Sequence, residues 1–166
     1  MARQRPREVP VQKGDEILVT VAGFGDGPDS LCHFGDYVVF VPGVLPGESA
    51  RVRITSATRK FGRGELLSLE HRSPDRVEPR CSHFLQCGGC HRQHQAYPAQ
   101  LRSKQERLQR TLDSVFGAGA VAVAATVPAA APYGERHKVA AHLQNDARGR
   151  LVPALHRARS PELEPI

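Results

Sequence analysis

Three cysteines lie within ten residues of one another, in the segment Cys81-Ser82-His83-Phe84-Leu85-Gln86-Cys87-Gly88-Gly89-Cys90. Two glycines separate Cys87 from Cys90, and they allow the backbone to bend tightly around one metal centre. Cys81 is near enough in sequence to supply a third thiolate to the same centre. Thiolates prefer soft or borderline metals, chiefly Zn²⁺ and the iron of iron–sulfur clusters. The spacing therefore predicts a metal site rather than a set of buried structural thiols.

Zinc is an alternative to an iron–sulfur cluster, because histidines lie close to the cysteines. His83, His91 or His94 could complete a Cys₃His tetrahedron, although each of them taken singly is better explained as an exposed side chain. The remaining cysteine, Cys32, lies in an apolar segment. We predict that it behaves as a small buried hydrophobe and not as a ligand.

Basic residues are concentrated around the cysteine motif. The formal net charge is +6, and between positions 76 and 110 basic residues outnumber acidic ones by five. Such a surface is either merely solvated or contacts phosphates with a salt-sensitive affinity that is independent of sequence. We predict the second, and expect Phe61 to stack on a base. The predicted RNA-binding residues are Arg51, Arg53, Arg59, Lys60, Phe61, Arg63, Arg102 and Lys104.

Short strands must position the groups in the first half of the chain. Residues 17–21, 37–41, 50–54 and 65–69 are rich in β-branched and apolar residues and are separated by Gly and Pro. Strands so close together, with no helix between them, predict a small β-barrel, whose closure leaves no exposed edge. We therefore predict a flexible lead at residues 1–12, a barrel at 13–72 and the cysteine motif with a further partial domain at 73–166.

One helix is predicted after the cysteine motif, at residues 98–116. Pro98 suits a first turn and Gly117 a helix end, and the spacing of Leu101, Leu108, Leu112 and Val115 predicts an apolar stripe. Residues 118–131 could form a strand and a linker. Residues 133–143 and 150–156 are predicted to be strands around a turn at 145–149. The expected fold class is α+β, mainly β, with a few antiparallel strands in the second part.

Size and composition limit the function classes. The 166 residues suffice for one ordinary domain or two small ones. The sequence contains no apolar run of the roughly 20 residues that a membrane span requires, and its N-terminal segment lacks the apolar stretch of a signal peptide. Four cysteines without an export signal favour metal or redox chemistry over disulfides. We expect a cytoplasmic, monomeric protein whose partner is RNA and not a membrane.

The sequence resembles the RNA 5-methyluridine methyltransferases that carry an N-terminal TRAM domain. The likeness spans nearly the whole chain except residues 118–131, and the cysteine block is its most specific part. The residues that carry it are Gly35-Asp36, Val39-Phe40-Val41-Pro42-Gly43, Leu45-Pro46-Gly47-Glu48, Arg76-Val77-x-Pro79-x-Cys81, Cys87-Gly88-Gly89-Cys90-x-x-Gln93-His94, Tyr97, Gln100, Leu101, Lys104 and Tyr133-Gly134-x-Arg136-x-Lys138-Val139.

The resemblance implies an OB-like TRAM barrel, a central domain that holds a [4Fe–4S] cluster, and a C-terminal domain that uses S-adenosylmethionine to methylate carbon 5 of a uridine in ribosomal or transfer RNA. By position it implies that Cys81, Cys87 and Cys90 are three cluster ligands. The segment ending at Ser160 aligns just before the family's fourth ligand, which has no match here. The donor site and the catalytic nucleophile also have no match. We therefore expect an N-terminal portion that is inactive alone and contains no catalytic residue.

Two other interpretations stay open. The chain could be a stand-alone TRAM protein with a zinc or labile cluster site that assists RNA folding or another enzyme. It could also be the non-functional remnant of an interrupted gene. Neither the target uridine nor the source of a fourth ligand follows from the residues.

Overall fold

Five strands close into a barrel in the first of the two units into which the chain divides, Met1–Arg76 and Val77–Ile166. The computed structural model describes residues 9–134 and 138–166. The barrel order is β1–β2–β3–β5–β4, and β4 pairs again with β1. Neighbouring strands are antiparallel except β3 and β5, which are parallel. The strands are β1 (Glu16–Phe24), β2 (Ser30–Phe34), β3 (Tyr37–Val41), β4 (Ser49–Ala57) and β5 (Phe61–His71).

The core lies inside the barrel, because every second residue of a strand points inward. In β3, Tyr37, Val39 and Val41 are buried while the residues between them are half-buried. The same alternation buries Val52 and Ile54 in β4. The barrel and the mainly β fold class are confirmed. The sequence analysis did not identify β2 as a strand, since its five residues mix Cys and His with apolar types and carry no clear alternation.

Two residues near the barrel core test the sequence analysis directly. Cys32 is fully buried, and its burial raises the pKa of the thiol to about 12. The prediction that it packs as a small hydrophobe is confirmed. Val11 is 3% exposed and belongs to the core cluster, although we predicted that residues 1–12 form a flexible lead. Residue 11 thus belongs to the barrel and not to a flexible lead, because its apolar side chain packs in the core.

A buried ion pair holds the end of the barrel unit. The side chain of Glu48 is fully buried, and its carboxylate accepts bonds from the amides of Leu45 (2.8 Å) and Ser73 (3.1 Å). Arg76 donates to it through Nε at 2.6 Å and Nη2 at 2.7 Å, and also reaches the carbonyl of Gly43 at 2.8 Å. Burial alone would raise the pKa of Glu48, but these bonds outweigh it and the pKa lies below the ordinary value.

The second unit contains one helix, α1 (Tyr97–Phe116), and a three-stranded antiparallel sheet in the order β6–β7–β8. The strands are β6 (His142–Asn145), β7 (Leu151–His156) and β8 (Leu163–Pro165). The helix has a proline in its first turn and ends at Gly117, which adopts φ 93°, as predicted. No helix in the described part of the chain combines the length and apolarity needed to cross a bilayer.

Three predictions for the second unit need correction. Leu108 and Val115 of the expected apolar stripe are 51% and 68% exposed, so the stripe is not a buried face. Of the strand predicted at 133–143, residues 135–137 lie outside the described part of the chain, and among the described residues only His142 and Leu143 belong to a strand, β6. The third strand, β8, was not predicted, because its three residues follow Pro161, include Pro165 and carry no clear alternation.

Residues 118–131, predicted to contain a strand, instead follow α1 as an irregular segment. Polar side chains of the helix replace the strand partners. Gln105 donates to the carbonyl of Val123 at 2.9 Å, and Gln109 both donates to the carbonyl of Val121 at 2.8 Å and accepts from the amide of Val123 at 2.9 Å. The glutamines thus bond backbone groups of Val121 and Val123 that a β-ladder would otherwise pair.

We predict that Glu48→Gln lowers the free energy of unfolding of the barrel by about 3–5 kcal/mol, because it leaves a half-paired guanidinium in a buried site. The depressed pKa of Glu48 means that its stabilisation is present at neutral pH. It is lost as the pH falls from the ordinary glutamate pKa through the lower value of the folded state. Urea unfolding at neutral and acid pH, followed by the amide signals of β3 and β4, measures both effects.

The matched control is Glu65→Gln, which removes an exposed carboxylate that pairs with Arg53. Its expected cost is below about 1 kcal/mol, as for other surface ion pairs. Equal effects of the two substitutions would contradict the role assigned to Glu48.

Candidate nucleic-acid interface and cysteine motif

Two hairpin turns meet at one end of the barrel. One joins β2 to β3 and the other joins β4 to β5, and the parallel pairing of Val38 with Phe61 places them side by side. Tyr37 clasps the two turns, because its hydroxyl donates to the carbonyl of Thr58 at 2.7 Å and accepts from the amide of Thr58 at 3.3 Å. The clasp fixes residues of the two turns that lie far apart in sequence.

A cavity of about 400 Å³ opens between these turns. Phe34 and Tyr37 contribute aromatic surface, and Arg59 and Lys60 lie at the tip of the β4–β5 turn. The full lining is Pro10, Phe34, Gly35, Asp36, Tyr37, Arg59 and Lys60. The sequence analysis selected Arg59 and Lys60 for RNA binding, but it did not identify Phe34, Asp36 or Tyr37. The turn signal Gly35-Asp36 was the only indication available.

The predicted RNA-binding cations of the barrel fall into two groups. Arg51 lies 3.5 Å from Glu70, Arg53 contacts two carboxylates at 2.9 and 3.2 Å, and Arg63 lies 3.0 Å from Asp29. Arg59 and Lys60 form no ion pair with any residue that the structure describes. These two cations are therefore the ones in the barrel list whose charge is not already offset by a neighbour.

Phe61, predicted to stack on a base, is half-buried on the outer face of the barrel. Its ring meets that of Phe40 edge to face, with centroids 5.5 Å apart and an angle of 78°. The guanidinium of Arg63 lies 5.9 Å from the centre of the Phe61 ring. The ring thus already has protein neighbours, and its stacking on RNA stays a prediction.

The remaining predicted cations, Arg102 and Lys104, are exposed on α1 in the second unit. Not every basic residue of the 76–110 segment is exposed in this way. Arg76 is held by Glu48, and Arg92 is half-buried, with a pKa lowered to about 10 by burial and by the nearby charge of Arg107. The net charge of this segment therefore overstates the charge available to a phosphate.

The cysteine motif forms a tight loop in the second unit. Cys81 and Cys90 are exposed and Cys87 is half-buried. The amide of Cys87 donates to the carbonyl of His83 at 2.9 Å, and the amide of Gly88 donates to the carbonyl of His156, at the end of β7, at 2.8 Å. The loop is therefore anchored to the sheet through its backbone, which leaves its thiols available.

The loop passes close to its neighbours at two glycines, where a side chain would be crowded. A Cβ at Gly88 would lie 3.2 Å from the carbonyl oxygen of His156, and one at Gly89 would lie 3.3 Å from the sulfur of Cys87. The amide of Gly89 donates to that sulfur at 3.2 Å. This bond fixes the position of the Cys87 sulfur within the loop.

The loop has the donor types of a metal site but does not group them as one. Three thiols in one loop, one of them bonded to a backbone amide, form a donor set suited to a soft or borderline metal. Within residues 9–134 and 138–166, however, no three Cys, His, Asp or Glu side chains are grouped so that they could hold a metal ion. Binding of one centre by Cys81, Cys87 and Cys90 would therefore require the loop to close around it.

The histidines considered as zinc ligands are engaged differently. His94 is 2% exposed and its ring lies 5.1 Å from that of Phe84. His83 contacts the buried Glu164 at 3.3 Å through Nδ1, whereas His91 is exposed. Of the three, His91 is the one that could turn toward a metal without leaving a packed environment.

Comparison with known proteins matches residues 10–67 to the TRAM domain family. The chain is 40% identical to the 23S rRNA (uracil(1939)-C(5))-methyltransferase RlmD of Edwardsiella ictaluri over 89% of its length, which covers 34% of that protein. It is 33% identical to an RNA methyltransferase of Halalkalibacterium halodurans over 93% of its length, which covers 33% of that protein. The chain thus spans about a third of the length of these curated relatives.

A shorter stretch is more similar still. Over 71 residues, 43% of this chain, the identity to RlmD of Shewanella woodyi is 51%, and the stretch covers 16% of that protein. Among solved structures, a conserved protein of Methanococcus maripaludis aligns with a TM-score of 0.35 and 34% identity, over 41% of this chain and 100% of that one. The resemblance inferred from the motifs is confirmed by the TRAM match and these sequence relatives.

We predict that the four thiols differ sharply in reactivity when no metal is bound. Exposed Cys81 and Cys90 should be alkylated by iodoacetamide at mildly alkaline pH before Cys87, because Cys87 is half-buried. Cys32 should react only after unfolding, because it is buried and its pKa is raised to about 12. Mass spectrometry of peptides after timed labelling gives the order, and rapid modification of Cys32 in the folded protein would contradict the barrel packing.

Proposed function

We propose that this chain is the RNA-binding and [4Fe–4S]-binding N-terminal portion of a TRAM-bearing RNA (uracil-C5)-methyltransferase. The whole enzyme would transfer a methyl group from S-adenosylmethionine to carbon 5 of a uridine in ribosomal or transfer RNA, after a thiolate adds to the neighbouring carbon. This chain would hold and orient the RNA. We place this work in the cytoplasm, on a monomer, away from membranes.

The observation that carries the proposal is a closed barrel, matched to the TRAM family at residues 10–67, with uncompensated cations at one end. Arg59 and Lys60 have no ion-pair partner among the described residues, so phosphate binding there requires no competing bond to break. The ion pairs of Arg51 and Arg53 are exposed on both sides. Such pairs are weak, and a phosphate can share these two cations at modest cost, whereas Arg63 pairs with the buried carboxylate of Asp29.

Cys81, Cys87 and Cys90 are the residues that would hold the cluster. Their support is the donor set, the backbone amide directed at Cys87 and the anchoring of the loop to β7. The cluster, when bound, would supply a structural cross-link for the loop rather than redox chemistry. A fourth ligand would come from outside the residues of this chain.

A second candidate function, an accessory RNA-binding TRAM protein with zinc, is supported by the exposed position of His91 near the three cysteines. It differs from the first in the metal, so that metal analysis separates the two.

We predict that anaerobically purified protein contains iron and sulfide and shows a broad visible charge-transfer absorption. Serine at position 81, 87 or 90 should lower the iron content severalfold, because each change removes a thiolate ligand. Iron and sulfide assays, with zinc measured on the same samples, provide the test.

The control is Cys32→Ser, which removes a thiol that faces the barrel core and should leave the metal content unchanged. Stoichiometric zinc with negligible iron and sulfide would overturn the cluster proposal and favour the accessory protein. Metal content that is insensitive to all three loop substitutions would overturn both.

We predict that the chain binds single-stranded RNA with an affinity that falls as salt rises. If about five phosphates are contacted, the logarithm of affinity should fall against log salt with a slope near −3.5, at about 0.7 per contact. Changing Arg59 and Lys60 together to Gln should reduce the slope by about 1.4 and weaken binding to unrelated RNAs alike, since phosphate contacts position rather than read the sequence. Fluorescence anisotropy across a salt series measures both.

The comparison variant carries Gln at both Arg51 and Arg53. It loses the same formal charge, but these arginines already face carboxylates, so its slope should change less. Binding that is independent of salt, or absent at low salt while the barrel remains folded, would contradict the proposed RNA-binding function.

A further inference from the structure

We infer that the cavity between the β2–β3 and β4–β5 turns is a binding site for one unpaired guanine nucleotide of the bound RNA. The base would lie inside, and its phosphate would lie at the rim. The inference rests on the proposed RNA-binding function and adds to it a position and a base preference.

The dimensions of the cavity suit a nucleotide. Its volume of about 400 Å³ falls within the range of about 300–1,000 Å³ that small-molecule sites occupy. Pro10, Phe34 and Tyr37 supply apolar and aromatic wall surface, against which the faces of an unstacked base can pack. Packing against these walls can therefore offset the stacking that the base loses when it leaves its neighbours in the RNA.

The walls of the cavity are held in place before any ligand arrives. Besides the Tyr37 clasp, the hydroxyl of Thr58 donates to the carbonyl of Phe61 at 2.8 Å and accepts from the amides of Lys60 and Phe61 at 3.3 and 3.2 Å. These bonds set the backbone of the β4–β5 turn. Binding then costs little conformational entropy in the protein, which favours affinity for a single nucleotide.

Charged side chains of both signs line the cavity. Asp36, Arg59 and Lys60 all line it, yet none of the three forms an ion pair with another or with any residue in the described ranges. Two cations at the rim suit the phosphate of a nucleotide. The exposed carboxylate of Asp36 beside them favours a ligand that also donates hydrogen bonds.

Guanine meets this requirement better than the other bases. An ionised carboxylate only accepts hydrogen bonds, and the Watson–Crick edge of guanine presents two adjacent donors, N1–H and the N2 amine. Adenine, cytosine and uracil each place an acceptor beside their donor on that edge, which would repel the second carboxylate oxygen. Asp36 is therefore the residue that would select guanine, while Arg59 and Lys60 would bind any nucleotide.

The test compares two labelled uridine 12-mers, one of which carries a single central guanine. Fluorescence anisotropy at fixed salt should give the guanine-containing RNA about a five- to hundredfold advantage, the range of a good two-bond base contact. Inosine at the same position lacks the N2 amine and should bind with intermediate affinity. Amide chemical shifts of Gly35 and Lys60 should move with the guanine RNA and locate the contact at the cavity.

Asp36→Asn is the decisive variant, because it replaces one acceptor by a donor and removes a charge that repels phosphate. The guanine advantage should disappear, while binding to the all-uridine RNA stays equal or becomes tighter. Asp26→Asn makes the same chemical change at an exposed position that does not line the cavity, and it should retain the guanine advantage. The amide spectra of both variants verify that the barrel is folded.

Equal binding of the two RNAs by the wild-type chain would overturn the inference and leave RNA binding standing. A guanine advantage that survives Asp36→Asn would also overturn it, because the base would then be read elsewhere. No binding of either RNA at low salt by folded protein would instead overturn the proposed function itself.

Discussion

The carboxylate of Glu48 has no contact with solvent, and four N–H groups of the same unit point at it: two backbone amides and two from Arg76. Its backbone is also tied to β1, since its carbonyl accepts from the amide of Val21 at 2.9 Å. One residue thereby joins β1, the turn between β3 and β4, and the segment that follows β5. A buried charge tolerates no other arrangement of its donors, so these three segments meet in one register.

Local patterns were sufficient for the barrel but not for the elements that depend on distant partners. The alternation in β3 and β4 can be read from the sequence, because one face of each strand is fully buried. The short β2 and β8 exist because neighbouring strands pair with them, and pairing leaves no periodic signal in so few residues. The strand predicted within residues 118–131 is absent for the opposite reason, since the side chains of Gln105 and Gln109 bond the backbone of Val121 and Val123 in place of a strand partner.

The candidate site, too, could be predicted from local patterns only in part. Residue types identified the cysteine loop and the cations, but only the fold separates cations that face carboxylates, such as Arg53, from those that do not, such as Arg59. Likewise Asp36 lies in an ordinary turn by sequence, and the parallel pairing of β3 with β5 brings it to the same cavity as Lys60. Proximity between two turns that are separated by an entire strand pair is a tertiary property.

The contrast between the closed barrel and the open sheet β6–β7–β8 has a consequence for self-association. Every barrel strand has two neighbours, so closure leaves the barrel without a strand that is an edge along its whole length. Within the described residues, β6 and β8 each have one strand neighbour, and β6 also exposes two-thirds of Leu143. Pro165, at the end of β8, has no backbone N–H, so an added strand would pair less completely along that edge. Association by strand addition would therefore begin at β6, and solubility at high concentration depends on how that single edge is covered.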